Sequence, residues 1–193
     1  MADLWDALHA AIDAHQPDRI DPGDNPPAAV LIPLLPLDEP HVVLTVRSHL
    51  VEHHKGEISF PGGMYETDDR DLQATALREA HEEVGIHPAH VRVLGEVSHL
   101  VTITNFHVTP YVGLLDRAPY PFVASALEVG EVLQVPLSHL LDPTNHAVRI
   151  VERNGRRREL RDYLWNDHVI WGATGIMLRR LLEEVSLQLG QEH

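Results

Sequence analysis

The stretch "SFPGGMYETDDRDLQATALREAHEEVGI" (Ser59–Ile86) places the tightest limits on what this chain can become. Pro61, Gly62 and Gly63 predict a turn whose bare backbone can approach another element closely. Leu72–Val84 predicts a helix, with Asp71 as its N-cap and Gly85, followed by Ile86, as a left-handed stop. That helix carries Glu79, Glu82 and Glu83. Like charges three or four residues apart weaken an exposed helix by roughly 0.2–0.5 kcal/mol per pair. Turning by about 100° per residue from Glu79, Glu82 falls at about 300° and Glu83 at about 40°. Gln73, Ala76, Leu77, Ala80 and Val84 form the buried side, so the three carboxylates flank the core stripe instead of opposing it. Arg78, one turn before Glu82, is placed to pair with it. A solvated acidic face is one reading. Oxygen ligands gathered from one helix beside a glycine segment also suit Mg²⁺ or Mn²⁺, which take carboxylates, carbonyls, water and phosphate. A divalent ion would turn repulsion into coordination and polarise an attacking water.

The rest of the chain reads as strands with few, dispersed helices. Asp3–His15 predicts an amphipathic helix with Leu4, Trp5, Leu8 and Ile12 on one stripe, and a Pro/Asp/Gly-rich linker follows. Strand-like runs are "AVLIPLL", "HVVLTVR", "EISF", "VRVLGEVSHL", "HVTPYVGLL" and "VLQVPL". "VRIVERNGRRREL" predicts a hairpin turning at Asn154-Gly155. A last helix is expected over Gly175–Leu189, with Ile176, Leu181, Leu182, Val185 and Leu189 facing the core. The pattern implies an α/β (α+β) fold in which a mixed sheet is sandwiched between helices. The 193 residues suit one domain, 1–193, with residues 1–27 an N-terminal helix and linker.

Composition removes several functions. There are no cysteines, which excludes disulfides, thiol nucleophiles and iron–sulfur ligation. A formal net charge of −14 argues against nucleic acid as a partner, although a small phosphorylated substrate remains open if cations bridge the two. "AAVLIPLLPL" (Ala28–Leu37) is too short and proline-broken to cross a bilayer, so no membrane partner is expected and cytoplasmic residence is the default. The 15 histidines are scattered, and His53 and His54, adjacent on a strand, would point to opposite faces. His107 and Tyr111 suit either an adenine contact or packing. "RNGRRRELR" (Arg153–Arg161) is a basic cluster suited to a hairpin tip.

Gly63–Ile86 resembles the Nudix box of the Nudix hydrolases. Gly63 is followed by five residues and Asp69, then by eight residues and "REAHEEVGI". The commoner family form has glutamate at the first acidic position and seven residues before the arginine. "LTVRSHLVEHHKGEISFPGG" (Leu44–Gly63) is similar to the segment preceding the box in the coenzyme A pyrophosphatase branch, with Glu52 where that signature has arginine. "EVGEVLQVPLSHLLD" and "VIWGATGIML" resemble later segments of the branch, so the likeness spans residues 28–182.

The resemblance implies a Nudix-type α/β/α sandwich and a small-molecule substrate. That substrate would be coenzyme A or a derivative, cut at its diphosphate to 3′,5′-adenosine diphosphate and 4′-phosphopantetheine or its acyl form. Other nucleoside diphosphate derivatives such as ADP-ribose, or a catalytically silent binding module, are the alternatives. It implies Glu79, Glu82 and Glu83 as metal ligands for Mg²⁺ or Mn²⁺, with the Gly63 carbonyl as a further ligand and Arg78 as their orienting partner. The general base is Glu79 or a later acid, Glu128 or Glu131. Arg47 and Lys55, with Gly62 and Gly63, are the candidate substrate contacts.

Overall fold

A strand buried on both faces organises the molecule. The structure, a computed structural model, describes residues 3–48, 56–153 and 156–190. In it the apolar run becomes β1 (Pro27–Pro36), and β1 alternates between two cores. Ala29, Leu31 and Leu35 pack to one side, Ala28, Ile32 and Leu34 to the other, which is why the run shows little polar alternation. Each fully buried leucine or isoleucine contributes roughly 1.5–3 kcal/mol.

The remaining elements follow in chain order. An N-terminal helix α1 (Leu4–Ala14) precedes β1, and β2 (Pro40–Arg47), β3 (Ile58–Ser59), β4 (Gly62–Met64) and helix α2 (Leu72–Val84) follow it. Then come β5 (Val91–Glu96), β6 (Leu100–Val101), β7 (His107–Leu115), β8 (Val129–Pro136) and the short helix α3 (Leu137–Leu141). The chain continues through β9 (His146–Arg153), β10 (Arg156–Trp165), β11 (His168–Ile170) and α4 (Gly172–Gln188). The main sheet is mixed: β1 runs parallel to β7 and antiparallel to β2 and β4. β9, β10 and β11 form a second, antiparallel sheet.

Helix α2 covers one face of the main sheet through Ala76, Ala80 and Val84, while α1, α3 and α4 cover the other. This is the α/β/α sandwich expected from the sequence. Among the described residues no helix is long and apolar enough to cross a membrane.

The feature that positions the site is a fork. β1 and β2 pair only near their connecting turn, from Leu34↔Val42 to Pro36↔Pro40, and then part. The segment leading to α2 fills the gap: β3 lies along β2, and β4 lies along β1 with Ala29 opposite Gly63. Leu31 N–H donates to the Pro61 carbonyl at 2.9 Å and Tyr65 N–H to the Pro27 carbonyl at 3.0 Å, which fastens both ends of β4. The expected turn at Pro61–Gly63 is therefore a bend followed by a strand, because the open flank of β1 supplies hydrogen-bond partners that a free loop lacks.

Helix α2 keeps its expected bounds. Asp71 Oδ1 accepts from Ala74 N–H at 2.8 Å, and Gly85 adopts φ 71°. Gly85 N–H donates to the His81 carbonyl, the 5→1 bond of a left-handed αL stop, and Ile86 N–H donates to the Ala80 carbonyl. The buried side differs in part: Thr75 and Glu83 are buried, whereas Gln73 is only half-buried.

Three further differences matter. α4 begins at Gly172, three residues before the expected Gly175. β8 begins at Val129, which pairs with Arg47 across a bulge, so Glu131 lies within the strand instead of before it. The β9–β10 hairpin has the expected register, Arg153 opposite Arg156, with Asn154-Gly155 outside the described residues.

A Cβ at Gly62 would lie 2.5 Å from the Ala29 carbonyl oxygen and 2.7 Å from Val30 Cα. These are backbone atoms, so the fork itself would have to open. Gly62→Ala should cost about 2 kcal/mol of stability, read as a lower urea midpoint at unchanged m-value.

Candidate active site

Arg78 is the hub at the mouth of the fork. Its Nε and Nη2 donate to Asp69 Oδ1 and Oδ2, both at 3.0 Å, a two-point fork-to-carboxylate pairing. Nη2 also donates to the Met64 carbonyl at 3.0 Å, tying the helix to the end of β4. Nη1 donates to Glu79 Oε1 at 2.8 Å and to Glu82 Oε2 at 3.0 Å. One guanidinium therefore sets the rotamers of two of the three helix acids.

Asp69 anchors this hub. Its Oδ2 also accepts from Thr75 Oγ1 at 2.8 Å and from the Glu66 backbone at 3.0 Å. The hydrogen bond from Arg78, more than any other cause, holds its pKa at about 2 despite burial. Sequence reasoning missed both Asp69 and Thr75 as site residues. The signal for Asp69 was its place at the first acidic position of the box pattern; Thr75 carried none.

The three glutamates differ sharply. Glu82 is largely exposed beyond its contact with Arg78. Glu79 is mostly buried, and burial raises its pKa while Arg78 opposes the rise. Glu83 is 7% exposed, and burial followed by the charge of Glu79 pushes its pKa up to about 8. Arg47 and the backbone of Gly62 offset part of that, whereas Glu128 adds to it. Glu83 Oε2 is buried with no hydrogen-bond partner among the described residues. A Cβ on Gly63 would land on the Glu79 carboxylate, so only glycine lets β4 close against these acids.

These observations test whether the residues suit a divalent cation. The donor set is oxygen-rich, one carboxylate oxygen is orphaned, and a glycine backbone abuts a second carboxylate; the residues fit the ion. Among the described residues no three acidic or imidazole groups close into a ready-made cage. Arg78 lies among the helix acids and donates to two of them.

The other candidates separate. Arg47, at the end of β2, bears on Glu83, and its buried Nε has no partner. Glu128 sits on the loop before β8. That loop is fastened to the helix end by Ser125 N–H to the Glu83 carbonyl at 2.8 Å and Val123 N–H to Val84 at 3.1 Å. The charge of Glu128 is felt by both Glu79 and Glu83. Glu131 instead lies 3.4 Å from His168 Nε2. Lys55, Glu52, His53 and His54 lie outside the described residues. His107 is buried against His99, Nε2 to Nδ1 3.3 Å, and Tyr111 is buried within the core under α2.

Known proteins resemble this chain along most of its length. The family profile of the NUDIX domain matches residues 24–160. A protein of Photorhabdus laumondii subsp. laumondii named as Nudix hydrolase NudL is 36% identical over 164 residues, 85% of this chain and 87% of its own length. A NudL protein of Yersinia pestis is 37% identical over 163 residues, 84% of this chain and 81% of its own. Among solved structures, a MutT/nudix family protein from Enterococcus faecalis has a TM-score of 0.52 at 17% identity, covering 98% of this chain and 75% of its own. A Deinococcus radiodurans protein has a TM-score of 0.54 at 15% identity, covering 84% of this chain and 88% of its own. At these identities the structural likeness speaks for the fold.

Asp69→Asn should cost on the order of 2 kcal/mol at neutral pH, because Arg78 would lose its charged partner. The sign of the pH dependence follows from the depressed pKa. Asp69 stabilises the fold fully above its unfolded value of 3.8, and the contribution disappears as pH falls through about 2. Urea denaturation from pH 7 to pH 2 should show an acid limb that is shallower in the variant.

Proposed function

The chain belongs to the Nudix family, and from that premise we propose a divalent-metal-dependent pyrophosphohydrolase acting on coenzyme A and its derivatives. The products are 3′,5′-adenosine diphosphate and 4′-phosphopantetheine or its acyl form. The observation that carries the hydrolytic reading is Glu83, a buried carboxylate with an unpartnered oxygen beside Glu79. The choice of coenzyme A rests on the Leu44–Gly63 segment, which resembles the signature of that branch.

In this reading Glu79, Glu82, Glu83 and the Gly63 carbonyl hold Mg²⁺ or Mn²⁺. The bound ion supplies charge neutralisation for the diphosphate and acidifies a water. Arg78 positions Glu79 and Glu82. Arg47 keeps positive charge near Glu83 and faces the anionic substrate. Glu128 is the proton acceptor for the attacking water, because its loop is pinned to the end of α2 and its charge reaches both buried acids. Glu131, engaged with His168, is not.

A second reading, hydrolysis of another nucleoside diphosphate derivative such as ADP-ribose, is favoured by Glu52, which stands where the signature has arginine. Incubation with Mg²⁺ and a panel of coenzyme A, acyl-coenzyme A and ADP-ribose, with products identified by mass spectrometry, decides between them. Release of 3′,5′-adenosine diphosphate supports the first reading; cleavage of ADP-ribose with coenzyme A untouched supports the second. Glu128→Gln should lower kcat by about 10²-fold or more with little change in KM, and Glu131→Gln should stay within about twofold. The reverse ranking would remove Glu128 from the chemistry.

A further inference from the structure

Three arginines line one cavity in a chain whose formal net charge is −14. The cavity measures about 500 Å³ and lies between β6, β10 and the first turns of α4, with Arg161, Arg179 and Arg180 on its wall. It belongs to the face of the sheet covered by α4, whereas α2 and its acids cover the other.

Nearby acids offset part of the arginines' charge. Asp162 also borders the cavity, but its carboxylate is engaged by Arg149 through Nε and, at 2.9 Å, through Nη2. Arg179 Nε stands 3.6 Å from Glu183 Oε1, a loose pair with both side chains partly exposed. Arg180 spends Nη1 on the carbonyls of Ser98 and His99, both at 2.7 Å, which fixes its guanidinium at the wall. Burial, then the charge of Arg179, lowers the pKa of Arg180, and Asp18 and Glu183 offset part of that. Glu159 is the remaining acid on the wall among the described residues, so three arginines face Glu159 and the Asp162 carboxylate that Arg149 engages. A phosphomonoester carries a charge of about −1.5 to −2 and accepts bidentate contacts from guanidinium groups. Apolar side chains, those of Leu100, Val101 and Ile176, also line the cavity. A volume of this size falls within the roughly 300–1,000 Å³ typical of small-molecule sites.

We propose that this cavity is a second ligand site, which takes a phosphate-bearing molecule of nucleotide size. The phosphate lies against Arg161, Arg179 and Arg180, and the uncharged body against Leu100, Val101 and Ile176. The site needs neither Glu83 nor a metal, so it stands apart from the reading of the α2 acids, and a test without metal separates the two.

Isothermal titration calorimetry of the full chain in EDTA, with 3′,5′-adenosine diphosphate, adenosine and inorganic phosphate as probes, is that test. The nucleotide should bind, inorganic phosphate more weakly, and adenosine without measurable heat. Arg161→Gln and Arg179→Gln should each weaken nucleotide binding by about tenfold, the loss of one charge-assisted contact. Arg47→Gln should stay within about twofold. The double variant Arg161→Lys, Arg179→Lys keeps the charge and should bind within about fivefold of the parent, separating loss of charge from loss of fold. Three results would each overturn the proposal: no nucleotide binding, binding that survives Arg179→Gln but not Arg47→Gln, or adenosine binding as well as the nucleotide. Inorganic phosphate binding as tightly as the nucleotide would also overturn it, since the apolar side chains would then have no role.

Discussion

Asp69 and Arg78 form the contact on which the site depends. The pair joins the loop after β4 to the middle of α2, and the same guanidinium reaches Met64, Glu79 and Glu82. Charge-assisted hydrogen bonds of this kind contribute roughly 1.5–3 kcal/mol each, enough to offset the repulsion of adjacent glutamates on the helix. Part of that repulsion is therefore relieved inside the protein, by an arginine, before any ion is considered. Glu83 is the exception. It points under the fork, receives no contact from Arg78, and keeps a buried oxygen without a partner.

Burying a carboxylate with one oxygen unpartnered is costly, and burial together with the charge of Glu79 outweighs the help of Arg47 and the Gly62 backbone, so Glu83 shifts toward the protonated form. A chain selected for stability alone would have an amide or an apolar residue here. The fork adds a constraint: two glycines are needed because side chains there would strike the Ala29 backbone and the Glu79 carboxylate. Stability is thus given up at one place, where β4, α2 and the loop of Glu128 meet, and a cation is the partner that the oxygen-rich surroundings of Glu83 suit.

What the sequence revealed, and what it concealed, follow from the range of the interactions. The bounds of α2 were legible because Asp71, Gly85 and Ile86 act on backbone groups within six residues. The pairing of Arg78 with Glu82 was legible for the same reason. β4 was not, since two glycines and a methionine have no strand preference; its partner is the flank of β1 left open where β2 departs. Asp69 was obscured by its distance from Arg78 along the chain, and Thr75 by facing it from the buried side of the helix. Glu128 and Glu131 looked equivalent in "EVGEVLQVPL". The bulge between Val46 and Arg47 and the contact with His168 separate them, and neither can be read from nearby residues.

The account's central claim is that Glu83 is kept as a carboxylate for a cation and at the expense of the metal-free fold. Thermal unfolding of the parent chain and Glu83→Gln, each in EDTA and in Mn²⁺, tests it most directly. The account predicts that the variant melts at or above the parent in EDTA, and that Mn²⁺ raises the melting temperature of the parent alone. A variant that melts lower in EDTA, with Mn²⁺ lifting both proteins equally, would contradict it.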